Sequence, residues 1–185
     1  SEMCIRDRLV GEHSDNIGYQ SGGWTIQWQG GSGDITPGTT ILDAFKSAVS
    51  DSNNIRYSKD GGDLSNSDII VAVIGEKPYS EGVGDRDSLH LSDEDIRLIE
   101  KVKRSKLPIV VILISGRPMI INEVLDQSDA FLAAWLPGTE GLGISDVIFG
   151  DFDFTGKLSM TWPKSMKQIP INYGDSSYCL LYTSP

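Results

Sequence analysis

Residues 75–87 (Gly-Glu-Lys-Pro-Tyr-Ser-Glu-Gly-Val-Gly-Asp-Arg-Asp) bring two glutamates and two aspartates into one segment with three glycines and a proline. Carboxyl groups gathered this way could serve glycosidic bond cleavage. That reaction needs one carboxylic acid to protonate the departing oxygen and a second carboxylate to attack the anomeric carbon, about 5 Å apart in retaining enzymes. Glu81 is the candidate for the first role. Taken by itself, Glu81 reads more simply as a solvated loop glutamate. Asp85 and Asp87, in a Gly-Asp-Arg-Asp run, read as turn chemistry with a local ion pair.

A second cluster spans residues 20–31 (Gln-Ser-Gly-Gly-Trp-Thr-Ile-Gln-Trp-Gln-Gly-Gly). Trp24 and Trp28, set among glycines and amides, suit an exposed aromatic platform for the apolar face of a sugar ring. An equally good reading is a pair of partly buried tryptophans anchoring a loop to the core. Other signals point to no known chemistry. His13 and His90 are isolated, so neither a metal site nor a cofactor is expected. The Gly138-Thr-Glu-Gly-Leu-Gly143 stretch lacks a dinucleotide fingerprint or phosphate loop and reads as a tight turn into a helix. No Gly-x-Ser-x-Gly elbow is present to offer a serine nucleophile.

These residues need a scaffold, and the hydrophobic pattern supplies one. Residues 68–74, 108–114 and 130–135 are short apolar runs rich in β-branched residues, as expected of buried strands. Helical spacing covers residues 40–49, 92–104, 120–125 and 141–149. Thr39 or Thr40 is placed to cap the first of these. In the second, Ser92 is placed to cap with Asp95 in the first turn, and Ile96, Ile99 and Val102 share a face. Continuous apolar strands alternating with helices predict a three-layer α/β/α sandwich around a mostly parallel sheet of about six strands, from which an N-terminal strand can be missing. In such sheets ligands bind on the loops that follow the strands, which is where residues 75–87 lie.

The chain has 185 residues, 39% hydrophobic and 23% charged, consistent with one globular domain. A net charge of -10 disfavours nucleic acid and anionic lipid as partners. The longest apolar run, residues 108–114, is too short to cross a bilayer. Cys4 and Cys179 lie in the flanks and encode no disulfide framework. Residues 1–8 and 177–185 fit no cap or periodicity and resemble translated adapter sequence, so residues 9–176 are taken as the domain and the flanks as non-native.

Five stretches, in order, resemble glycoside hydrolase family 3, in its β-glucosidase and exo-glucanase branch. They are residues 15–26 (Asp-Asn-Ile-Gly-Tyr-Gln-Ser-Gly-Gly-Trp-Thr-Ile), residues 70–85, residues 114–118 (Ile-Ser-Gly-Arg-Pro), residues 133–141 (Ala-Ala-Trp-Leu-Pro-Gly-Thr-Glu-Gly), and residues 149–158 leading to Thr161-Trp-Pro163. The resemblance implies the C-terminal α/β sandwich of a two-domain retaining enzyme whose active site lies against an N-terminal (β/α)8 barrel. It aligns Glu81 with the acid/base carboxylate and Trp24 with the aromatic wall of the +1 subsite. The nucleophilic aspartate is expected in the barrel, the substrate to be a β-glucoside or β-glucan oligosaccharide, and the location periplasmic or secreted. Arg117 is expected to hold a loop by hydrogen bonds. A β-xylosidase of the same family, or a non-catalytic carbohydrate-binding or structural module, is the alternative.

Overall fold

The three apolar runs form strands in the computed structural model, which describes residues 6–172 and Asp175. The expected C-terminal flank, residues 177–185, and residues 1–5 of the N-terminal one lie outside the described residues. In chain order the elements are β1 (Asp7–Val10), α1 (Ile17–Ser21), α2 (Ile41–Ala48), β2 (Ile55–Ser58), β3 (Ile69–Gly75), α3 (Asp93–Lys103), β4 (Ile109–Ile114), α4 (Asn122–Leu125), β5 (Ala130–Trp135) and α5 (Gly141–Phe149). The sheet is parallel throughout, in the order β2-β1-β3-β4-β5. The chain steps one way from β1 to β2 and the other way from β3 to β4 and β5. Crossovers of a single hand must then place their helices on opposite faces.

Side-chain burial follows that division. Leu9, Val71, Val73, Ile112 and Ile114 meet Ile41, Leu42 and Phe45 of α2 and Ile144 of α5 on one face. Val10, Ile70, Ala72, Ile74, Val111 and Leu113 meet Ile99 and Val102 of α3 and Val124 of α4 on the other. The result is a three-layer α/β/α sandwich. Local signals start the helices: Thr40 Oγ1 accepts from the Asp43 N–H at 3.0 Å, and Ser92 Oγ accepts from the Asp95 N–H at 3.1 Å.

Five strands are found among the described residues, against the expected six or so. Residues 155–162, which follow α5, do not pair with β5. Leu158 and Trp162 pack on the α3 face of the sheet instead, with Trp162 Nε1 donating to the Met119 carbonyl at 2.7 Å. Two strands, β1 and β2, lie outside the three that periodicity predicts.

Asp7 and Arg8, which the sequence reading assigns to a flank, form the first half of β1 and pair with strands on both sides. Both side chains are buried. Among the described residues Arg8 Nε and Nη2 have no hydrogen-bond partner, and Arg56 opposite adds like charge. Burial, with Asp68 nearby, pushes the Asp7 carboxyl up to about 6. Folded Asp7 thus holds its proton more tightly than the unfolded chain does. Its unfavourable contribution is absent below about pH 4 and grows as pH rises through about 6. Asp7→Val is expected to raise the melting temperature of the chain at neutral pH, with the gain shrinking toward about pH 4. Arg8→Val is expected to raise it across the range. Thermal melts followed by circular dichroism at several pH values test both; a gain from Asp7→Val that persists undiminished in acid would contradict the first.

Candidate active site

The sheet order reverses between β1 and β3, and the loops leaving their carboxyl ends carry both clusters singled out in the sequence. After β3 the chain turns sharply: Gly75 lies so close to β4 that a Cβ there would collide with the Ile114 carbonyl. This turn puts the side chain of Glu76 inside. Its Oε1 accepts from Arg117 Nη2 at 2.8 Å, Arg117 Nε at 3.0 Å and Arg86 Nη1 at 3.2 Å. Its Oε2 accepts from the Tyr79 hydroxyl at 3.0 Å.

Arg117 follows β4, and it also donates to the Gly84 carbonyl at 2.7 Å and lies over the Tyr79 ring, 4.3 Å from its centroid. Burial, reinforced by the adjacent Glu76, pushes the Tyr79 hydroxyl up to about 12. Arg86 further donates to the His90 carbonyl at 3.0 Å. Residues 76–86 are therefore wrapped around one buried carboxylate. The expected loop-holding role of Arg117 is seen in these bonds.

Glu81 stands at the outer part of this loop and is exposed. The turn that presents it is closed by the Val83 N–H donating to the Glu81 carbonyl at 2.8 Å and the Gly84 N–H to the Ser80 carbonyl at 2.9 Å. Its carboxylate makes no hydrogen bond or ion pair among the described residues. Asp85 and Asp87 are exposed as well.

The tryptophan segment follows α1 and packs directly on the Glu81 loop. Trp24 is 65% exposed and Trp28 55%, with ring centroids 5.9 Å apart at 59° and the Trp24 N–H donating to the Trp28 carbonyl at 2.9 Å. Of the two sequence readings, the exposed platform describes them; they do not anchor a loop by burial. The anchor is Gln20, fully buried. Its Nε2 donates to the Thr39 carbonyl at 3.2 Å and the Gly138 carbonyl at 3.0 Å, and its Oε1 accepts from the Ile41 N–H at 3.0 Å. This amide joins α1, the start of α2 and the loop after β5.

A cavity of about 870 Å³ opens beside these loops on the α3 side, lined by His13, Tyr19, Glu76, Lys77, Tyr79 and Asp95 among others. Neither Glu81 nor Trp24 lines it. His13 Nε2 lies 3.0 Å from the Glu76 carbonyl oxygen, its ring is tilted against Tyr19, and burial holds its pKa down. Asp95 is raised to about 6 by burial, against the opposing pull of the Ser92 hydroxyl. His90 lies apart in an isolated bridge to Ile120. Among the described residues no group of three histidine, cysteine or acidic side chains is placed to hold a metal ion.

Sequence reasoning did not single out Glu76, Arg86, Gln20 or Gln29, all of which support the site. A glutamate directly after one buried strand and an arginine three residues past the end of the next, Arg117, were a signal that could have found Glu76.

Known proteins share this fold. The family model described as the glycosyl hydrolase family 3 C-terminal domain matches residues 7–183. A lysosomal beta glucosidase of Dictyostelium discoideum is 31% identical over 89% of the chain, and a beta-xylosidase of Formosa agariphila 34% identical over 72%. The crystal structure of an exo-1,3/1,4-beta-glucanase from a Pseudoalteromonas species superposes with a TM-score of 0.89 at 38% identity, covering 96% of the chain. The chain spans 23%, 21% and 24% of these three proteins, respectively. A match along nearly the whole chain, with the same parallel sandwich beneath it, means that this chain belongs to glycosyl hydrolase family 3 and represents its C-terminal domain.

Proposed function

We propose that this domain supplies the acid/base carboxylate of a retaining, exo-acting β-glucosidase, with Glu81 in that role and Trp24 forming part of the aglycone subsite. The observation that carries the reading is the direct contact between two exposed loops at the carboxyl edge of the sheet, one presenting a carboxylate unpaired among the described residues and the other an aromatic platform. In the reaction Glu81 gives its proton to the glycosidic oxygen as the bond from that oxygen to C1 breaks. A carboxylate of the partner barrel domain takes C1 to form a glycosyl ester. The Glu81 carboxylate then removes a proton from water as the water oxygen displaces the ester, releasing the sugar with its original configuration.

The domain has no role here for a metal or cofactor. Its partners are a β-glucoside or β-glucan oligosaccharide and the barrel of the same enzyme, and without the barrel the chain is inactive. The β-xylosidase among the relatives supports a second reading in which the same acid/base serves a pentoside.

The test is proton NMR of the first turnovers of the full-length enzyme on aryl β-glucoside and β-xyloside. Release of β-glucose ahead of mutarotation, with the glucoside preferred, is expected. The α-anomer would overturn the retaining mechanism, and preference for the xyloside would select the second reading.

A further inference from the structure

One side chain ties the tryptophan loop to the Glu81 loop. The amide of half-buried Gln29 accepts from the Ser80 N–H through Oε1 at 3.0 Å and donates to the Glu81 carbonyl through Nε2 at 3.3 Å. No other side chain among the described residues bonds the backbone of Ser80 or Glu81. The loops touch on both sides of this amide. A Cβ at Gly23 would collide with the Tyr79 carbonyl, and Gly30 sits against Pro78. The Trp24 N–H bonds the Trp28 carbonyl, and Trp28 is the neighbour of Gln29. A continuous path of hydrogen bonds and peptide links therefore runs from the aromatic platform to the peptide unit that carries Glu81.

Because the Glu81 carboxylate has no partner of its own among the described residues, its location is set through its backbone. An acid must come within about 2.6–3.2 Å of the oxygen it protonates, and a misplacement of about 1 Å can cost ~10²-fold in rate. We propose that Gln29 is a positioning residue: it holds Glu81 in register with the tryptophan platform, so that gripping the aglycone and delivering the proton are done by one rigid unit. This rests on the reading of Glu81 as the acid/base.

The test is made in the full-length enzyme with Gln29→Ala and Gln29→Glu, the latter keeping the acceptor for the Ser80 N–H. For an alkyl β-glucoside, whose leaving group needs a proton, kcat/KM is expected to fall roughly tenfold to a hundredfold in Gln29→Ala. The fall should be smaller in Gln29→Glu. For 2,4-dinitrophenyl β-glucoside, whose leaving group departs without one, kcat/KM should change by less than about twofold. Azide should raise kcat of Gln29→Ala on that substrate, because it attacks the glycosyl ester in place of water and needs no base. Equal falls on both substrates, or no fall on either, would overturn the inference. Glu81→Ala run alongside separates the two ideas. If Glu81→Ala shows the leaving-group dependence and Gln29→Ala does not, Gln29 alone loses its role. If Glu81→Ala shows none, the acid/base assignment fails and the Gln29 inference fails with it.

Discussion

Glu81→Ala in the full-length enzyme is expected to lower kcat/KM on an alkyl or oligosaccharide β-glucoside by roughly 10²–10⁴-fold, the usual worth of a positioned general acid. The loss should depend on the leaving group. With a dinitrophenolate the departing oxygen is stable as an anion, so kcat/KM should stay near that of the unchanged enzyme while kcat falls. The glycosyl ester then accumulates for want of a base to activate water. Azide needs no base, so it should restore kcat and yield a β-glucosyl azide. Removing an exposed side chain that bonds nothing among the described residues leaves the melting temperature in place, so lost activity reports lost chemistry. Unchanged turnover of the alkyl glucoside would remove Glu81 from the mechanism, whatever the fold resembles.

How much of this was legible in the chain depended on whether the physical signal was local. The strands β3 and β4 are continuous apolar runs because both faces of each are covered by helices, and that pattern needs no tertiary knowledge. β5 has the same kind of run, but at the sheet edge it is only partly buried rather than enclosed as the run predicts. The helices α2 and α3 announced themselves through Thr40 and Ser92 at their caps. β2 (Ile55–Ser58) did not, since only Ile55 is fully buried at that sheet edge. β1 was hidden by Asp7 and Arg8, whose charge argues against a central strand that backbone pairing nonetheless builds.

The acid/base candidate and the platform were visible as residue types in glycine-rich segments, but what holds them was not. Arg117 lies 41 positions from Glu76, and Gln29 lies 52 from Glu81. Only the parallel register that sets Gly75 against Ile114 brings the first pair together. Amides such as Gln20 and Gln29 carry no charge pattern to betray them, so their roles appear only once the loops are folded.

The base of the Glu81 loop offers the second large effect. Breaking a buried ion pair by removing one partner costs about 3–5 kcal/mol. Here the Arg117 and Arg86 side chains keep 24% and 38% exposure while Glu76 keeps 5%, so water takes up part of the freed charge. A loss of roughly 2–3 kcal/mol is expected for Glu76→Ala. Glu76→Gln should cost less, because its oxygen can still accept from Arg117 and its NH2 can donate to the Tyr79 hydroxyl. The double variant Glu76→Ala/Arg117→Ala should cost less than the sum of the singles, since the second change removes a cation already left unpaired. Because the network fastens residues 76–86 rather than the sheet, the damage should begin locally. Limited proteolysis should cut that segment in Glu76→Ala well below the melting temperature, and activity should fall further than stability. Chemical denaturation of the singles and the double, beside the proteolysis, decides it. If Glu76→Ala unfolds and resists cleavage as the unchanged protein does, the buried carboxylate does not hold the loop, and the position of Glu81 must rest on the Gln29 tie or on contacts from outside this domain.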